Sequence, residues 1–220
     1  MHTVHSTLTL DSHPVHLITF DPATFAERDL LWLPHYAEVA HTGRKRKSEH
    51  LAGRIAAVHA LREYGHQAVP GITPGGEPRW PSGLHGSISH AGQTAVAVVS
   101  SACVGVDIES VFSSQLSKEI AESLVNAEEY ALLQRASLPF ERGLTLTFSA
   151  KESLFKAFSA IALPFPGFQS AQLIALTYRS LTLRITVQFN QQYAGICVDI
   201  PWIMHTNQVI TLASGLPSGS

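Results

Sequence analysis

Two short runs hold the residue types that could do chemistry: Gly105-Val106-Asp107-Ile108-Glu109 and Phe148-Ser149-Ala150-Lys151-Glu152-Ser153-Leu154-Phe155-Lys156. The first alternates as a strand does, so Asp107 and Glu109 project from one face and Val106 and Ile108 from the other. The second reads as a helix start, which puts Glu152 and Lys156, four apart, on one face. Two strand carboxylates and one helix carboxylate form a donor set for a hard, oxygen-seeking cation such as Mg²⁺, which keeps positions for water and substrate phosphate. A lysine one turn beyond the third carboxylate would stand beside that phosphate. The chemistry outlined is phosphate transfer. Each run also has a plainer reading. Ser149 followed three residues later by Glu152 matches a helix capping box, and a carboxylate pair ending an apolar strand also serves as a solvent-facing strand terminus.

These runs must be positioned by the elements around them. Residues 4–20 alternate loosely and read as a strand pair turning at Asp11-Ser12. A short helix is expected over 25–31. The clearest helix covers 45–64, with Leu51, Ile55, Val58 and Leu61 as its apolar stripe and Gly65 as its stop. Residues 69–83 are loop by their proline and glycine content. Strands are expected over 87–90, 94–99 and 103–109, and helices over 117–125, 127–134 and 149–158. A loop at 163–168 precedes strands over 171–176, 181–189, 195–200 and 208–213. Helices mixed with neighbouring antiparallel strands define an α+β fold. The boundary between two halves falls near 100–102, giving 1–101 and 102–220.

Gly43-Arg44-Lys45-Arg46-Lys47 is the dense basic run, and Arg54 extends it along the same helix. Guanidinium groups there would anchor a phosphate-bearing ligand through paired hydrogen bonds; a solvated helix end or a weak nucleic-acid patch is the competing reading. Ser89-His90 closes a strand before a turn, where an imidazole can donate to a phosphate oxygen. With 12 histidines in the chain, position alone does not single out any one of them. A P-loop and a Gly-x-Ser-x-Gly elbow are both missing, so a nucleophile would come from the substrate.

Composition bounds the partners. The chain has 220 residues, 45% apolar and 15% charged, enough to bury a core. A formal net charge of −2 gives no global pull toward nucleic acid or anionic membrane. Cys103 and Cys197 are too few for a disulfide framework and read as reduced thiols. No basic segment followed by an apolar run opens the chain, so a cytoplasmic location is expected.

Together these residues resemble the phosphopantetheinyl transferase family, specifically its Sfp-type, two-half members. The paired runs at 105–109 and 148–156 match the family signature, Ser87-Ile88-Ser89-His90 matches the strand before it, and the stretches 30–36 and 44–54 are similar to a siderophore-associated subgroup. The resemblance implies two similar α/β halves with pseudo-twofold symmetry and a monomer. It implies transfer of the 4'-phosphopantetheine arm of coenzyme A to a serine of apo aryl or peptidyl carrier domains of a nonribosomal peptide synthase, with release of 3',5'-ADP. The N-terminal half would contact coenzyme A and the C-terminal half would hold the metal site. Asp107, Glu109 and Glu152 would hold Mg²⁺. Glu152 would take the serine proton, and Lys156 would bind and stabilise or protonate the leaving phosphate. Ser89 and His90 would hold phosphate oxygens, and Arg46 and Arg54 the 3'-phosphate or adenosine end. Loose association with a membrane-bound synthase stays open, as do a Mg²⁺-dependent phosphoester hydrolase and a non-catalytic coenzyme A-binding protein. One departure stands out: Gly76-Glu77-Pro78 occupies the place of a Gly-Lys-Pro loop, and Glu77 cannot pair with phosphate.

Overall fold

Asp11 and Ser12 both take left-handed backbone (φ 47° and 64°), the turn that joins two strands of natural twist with a two-residue loop. They connect β1 (His2–Leu10) to β2 (His13–Asp21) as expected from the sequence. The computed structural model describes residues 1–159 and 166–215, so part of the expected 163–168 loop and the end of the chain lie outside the described residues. The chain divides into two compact units, Met1–Cys103 and Val104–Ser220.

In the first unit, two 3₁₀ turns, Pro22–Thr24 and Glu27–Trp32, replace the single short helix expected over 25–31. Asp21 caps the first of them by accepting from the Ala23 N–H, and Pro22 fits its first turn. A four-residue α1 (Tyr36–Val39) leads to α2 (Arg44–Arg62). Gly65 ends α2 in a left-handed conformation (φ 77°), with its N–H and that of His66 closing on Arg62 and Leu61 carbonyls. A minor hairpin, β3 (Gly71–Ile72) and β4 (Pro78–Arg79), crosses the expected loop. Then come β5 (His85–Ala91) and β6 (Thr94–Ser100). The antiparallel sheet runs β1-β2-β6-β5. The buried face of α2 is wider than its leucine stripe: Ala52, Ala56, Ala57 and Ala60 are buried with Ile18, Phe20, Ala95 and Val99. Small side chains let the helix lie close to the sheet.

Three histidines meet on this unit. His5 of β1 stacks on His59 of α2 with ring centroids 3.6 Å apart, and His16 of β2 lies 5.3 Å from His5. Burial first, then the neighbouring His5, pushes buried His16 down to about 4; Glu63 opposes the shift. Burial and Arg54 likewise push His50 down to about 3. Both folded values lie below the ordinary 6.5, so the unfolded chain takes up these protons first. Stability is therefore complete above roughly pH 6.5 and declines as pH falls toward 4. The urea midpoint followed from pH 8 to pH 4 should drop across that window, and His16→Phe should flatten the drop.

The second unit carries β7 (Gly105–Ser110), α3 (Ser114–Leu124), α4 (Ala127–Arg135), α5 (Phe140–Ser159), β8 (Ala171–Leu176), β9 (Ser180–Ile185), β10 (Cys197–His205) and β11 (Gln208–Ala213). Its antiparallel sheet runs β7-β11-β10-β9-β8. The apolar side of α5, with Leu146, Leu154 and Phe158, shares a core with Leu181, Leu183, Ile200 and Val209. Among the described residues all strand pairings are antiparallel, which makes the fold α+β.

Three expectations need correction. Ser149 does not start a helix: α5 begins at Phe140, so the capping box of Ser149 with Glu152 does not exist. β9 stops at Ile185 because the chain turns there, Phe189 N–H donating to Thr186 O while the Phe189 ring packs 4.6 Å from that of Phe158. β10 runs through Pro201, where a strand end was expected, because it changes partner there. Cys197–Pro201 pair with β9, and Trp202–His205 pair with β11. Cys103 and Cys197 are free thiols. No helix among the described residues is long and apolar enough to cross a membrane.

Candidate active site

Gly105 is what lets the two chemical runs meet. A Cβ built there would lie 2.0 Å from Ser153 O and 2.6 Å from Ala157 N, so α5 sits directly on the β7 backbone. Alternation along β7 puts Gly105, Asp107 and Glu109 on that same face. A second tie fixes the approach: Ser149 Oγ and Thr211 Oγ1 are 2.8 Å apart, and Thr211 of β11 lies directly opposite Asp107. Glu152 and Lys156 on α5 are thereby brought to the strand carboxylates.

The electrostatics follow from this crowding. Asp107 is 2% exposed, and Lys156 Nζ donates to its Oδ1 at 2.5 Å. Burial, then repulsion from Asp107, pushes Glu109 up to about 7; Glu152 adds to the rise and Lys156 opposes it. Burial also raises Glu152, with Asp107 adding to the effect and Lys156 working against it. Three carboxylates thus share one ammonium, an excess of negative charge that a hard divalent cation would neutralise. The donor chemistry fits Mg²⁺. Among the described residues, however, no three His, Cys, Asp or Glu side chains already stand as a closed ligand set; here Asp107 is turned onto Lys156.

In the first unit, Arg46 Nη1 lies 3.1 Å from His90 Nε2, and His90 Nδ1 lies 3.9 Å from Glu49 Oε2. Ser89 is buried on β5, paired opposite Val96. Arg46 and His90 thus meet between α2 and β5, while Ser89, next to His90 along the strand, projects from the other face. Arg54 is used differently from the sequence expectation. It is 5% exposed and donates from Nε to Pro70 O (3.0 Å) and from Nη2 to Gly71 O (3.3 Å), fastening the loop ahead of β3. Burial, helped by Arg46, brings its guanidinium down to about 10.

The rest of the basic run is also largely taken up within the fold. Arg44 donates to the carbonyls of Pro22, Ala23 and Phe25, and Lys47 pairs with both Glu27 oxygens at 2.9 and 3.1 Å. Glu77 is exposed between β3 and β4, its N–H held by Thr73 Oγ1. Sequence reasoning missed Glu49, a buried acid on α2 beside His90, and Lys151, a buried base next to Glu152. Lys151 did carry a signal, since it lies about 100° around the helix from Glu152 and on the side of apolar Phe155.

Residues 35–100 match the 4'-phosphopantetheinyl transferase N-terminal domain, and residues 103–213 match the 4'-phosphopantetheinyl transferase superfamily. The chain belongs to that superfamily and is a 4'-phosphopantetheinyl transferase. It is 49% identical over 216 residues to enterobactin synthase component D of Salmonella typhi, covering 98% of this chain and 92% of that one. To the same component of Escherichia coli O157:H7 it is 47% identical over 212 residues, 96% and 98% of the two chains. A more distant relative, the 4'-phosphopantetheinyl transferase Svp of Streptomyces mobaraensis, is 32% identical over 153 residues, 66% of this chain and 62% of that one.

Proposed function

We propose that this enzyme moves the 4'-phosphopantetheine arm of coenzyme A onto a serine of the aryl and peptidyl carrier domains of an enterobactin synthase. The observation that carries this reading is the joining of Asp107, Glu109, Glu152 and Lys156 by β7 and α5. The carrier serine oxygen attacks the coenzyme A phosphorus that bears the pantetheine arm. The bond to 3',5'-ADP breaks and the serine proton leaves. Such a reaction needs orientation and charge neutralisation more than covalent help. Mg²⁺ held by Asp107, Glu109 and Glu152 would neutralise pyrophosphate charge. Glu152, half-buried and with a raised pKa, is suited to accept the serine proton. Lys156 reaches the same point from one turn along α5 and meets the charge that develops on the leaving phosphate. Arg46 and His90 would grip coenzyme A, and Arg54 holds the loop ahead of β3.

The test is intact-mass measurement of an apo carrier domain after incubation with the enzyme, coenzyme A and Mg²⁺. A gain of one phosphopantetheine, lost on chelation, supports the reading. Coenzyme A consumed with the carrier unchanged would mean a hydrolase, and both unchanged would mean a binding protein.

For the carrier we propose the outer face of α3. Its Leu116 is 39% exposed, whereas Ile120 packs against the core. Leu116→Ser should raise the KM for the carrier about tenfold, an ordinary value for one apolar anchor, while leaving the KM for coenzyme A within twofold. Equal loss toward both substrates would remove α3 from the docking surface.

A further inference from the structure

A lysine buried in a core is costly unless its ammonium is fully paired. Lys151 is 0% exposed, and Nζ is held at 2.7 Å by Glu129 Oε1 and at 2.8 Å by Leu124 O. Glu129 is equally buried and equally committed. Its Oε1 also accepts the Leu173 N–H at 2.7 Å, and its Oε2 accepts the Asn126 N–H at 2.9 Å. Asn126 in turn accepts the Glu129 N–H at 3.0 Å, closing the capping box of α4. One ion pair therefore ties α5 to the end of α3, the start of α4 and the edge strand β8.

Its place on α5 matters more than its strength. Successive helix residues differ by about 100° around the axis, so a side chain anchored on one flank fixes where its neighbour points. Lys151 is drawn toward α3 and α4, and the next residue, Glu152, is turned toward β7. Gly105 and the Ser149–Thr211 bond set how near α5 comes to the sheet; the buried ion pair holds the helix from its other flank. We infer that Lys151 and Glu129 are positioning residues, a buried pair that fixes the rotation of α5 so that Glu152 and Lys156 face Asp107 and Glu109. An uncharged pair of similar volume would fill the space and preserve the fold without that directed charge pairing. The inference rests on the reading of Asp107, Glu109 and Glu152 as the cation's ligands.

The experiment measures Mn²⁺ binding directly, from the electron paramagnetic resonance signal of the free ion, well below the melting temperature and without substrates. Lys151→Met combined with Glu129→Gln should stay folded and bind Mn²⁺ about tenfold more weakly, the scale on which partners that orient metal ligands act. Glu129→Asp, a milder change that withdraws the carboxylate by one methylene, should weaken binding about threefold on the same account. Leu183→Ala, in the same core, should lower the melting temperature and leave Mn²⁺ binding unchanged. Native Mn²⁺ affinity in the folded double variant would overturn the inference and leave the pair a stabilising role only. If the double variant does not fold, Glu129→Asp decides by the same criterion. Native affinity in Asp107→Ala would instead overturn the ligand assignment beneath it.

Discussion

Asp107→Ala is expected to reduce phosphopantetheine transfer by about 10³-fold, the scale reached when a group that organises transition-state charge is removed. The loss has two sources. Asp107 is one of the three proposed cation ligands, and it also holds the ammonium of Lys156 at 2.5 Å. Without it, Lys156 is released toward Glu109 and Glu152. Glu109, now relieved of its strongest like-charge neighbour, should titrate below about 7, which NMR can follow in the metal-free protein. Single-turnover transfer measured by carrier mass gives the rate. A fall of less than tenfold would place the chemistry elsewhere.

The second large effect comes from a residue with no side chain. Gly105→Ala puts a methyl group 2.0 Å from the Ser153 carbonyl and 2.6 Å from the Ala157 nitrogen. Both are helix backbone, so neither can swing aside as the end of a side chain could. Overpacking of this kind costs about 3 kcal/mol, read as a lower urea midpoint. The shift of α5 that relieves the clash also moves Glu152 and Lys156 off the strand, and a misplacement of about 1 Å costs on the order of 10²-fold in rate. An unchanged midpoint together with unchanged transfer would contradict the seating of α5 on β7.

Much of this site was legible in the sequence because its geometry is local. Alternation put Asp107 and Glu109 on one face, and a spacing of four put Glu152 beside Lys156; both survive in the structure. So do the Asp11-Ser12 hairpin and the stop at Gly65, which depend on backbone conformations that only a few residues accept. The start of α5 was missed although Glu141 marks it, since an acid favours the helix N-terminus. Gly143 in that first turn obscured the signal. What local patterns could not show was the fate of charges whose partners are far along the chain. Arg44 finds carbonyls some twenty residues earlier, and Arg54 finds them at Pro70 and Gly71. Lys151 finds Glu129. A charged residue in a sequence reads as surface, and burial in pairs is decided by tertiary contact alone.

Asp107, Glu109, Glu152 and Lys156 all belong to Val104–Ser220, while Arg46, Ser89 and His90 belong to Met1–Cys103. Each set is therefore shaped by its own core. On the roles proposed above, substitutions that repack α2 against its sheet would retune the grip on coenzyme A, and those beneath α5 would retune turnover. Affinity and speed would then be open to separate adjustment, each through its own core.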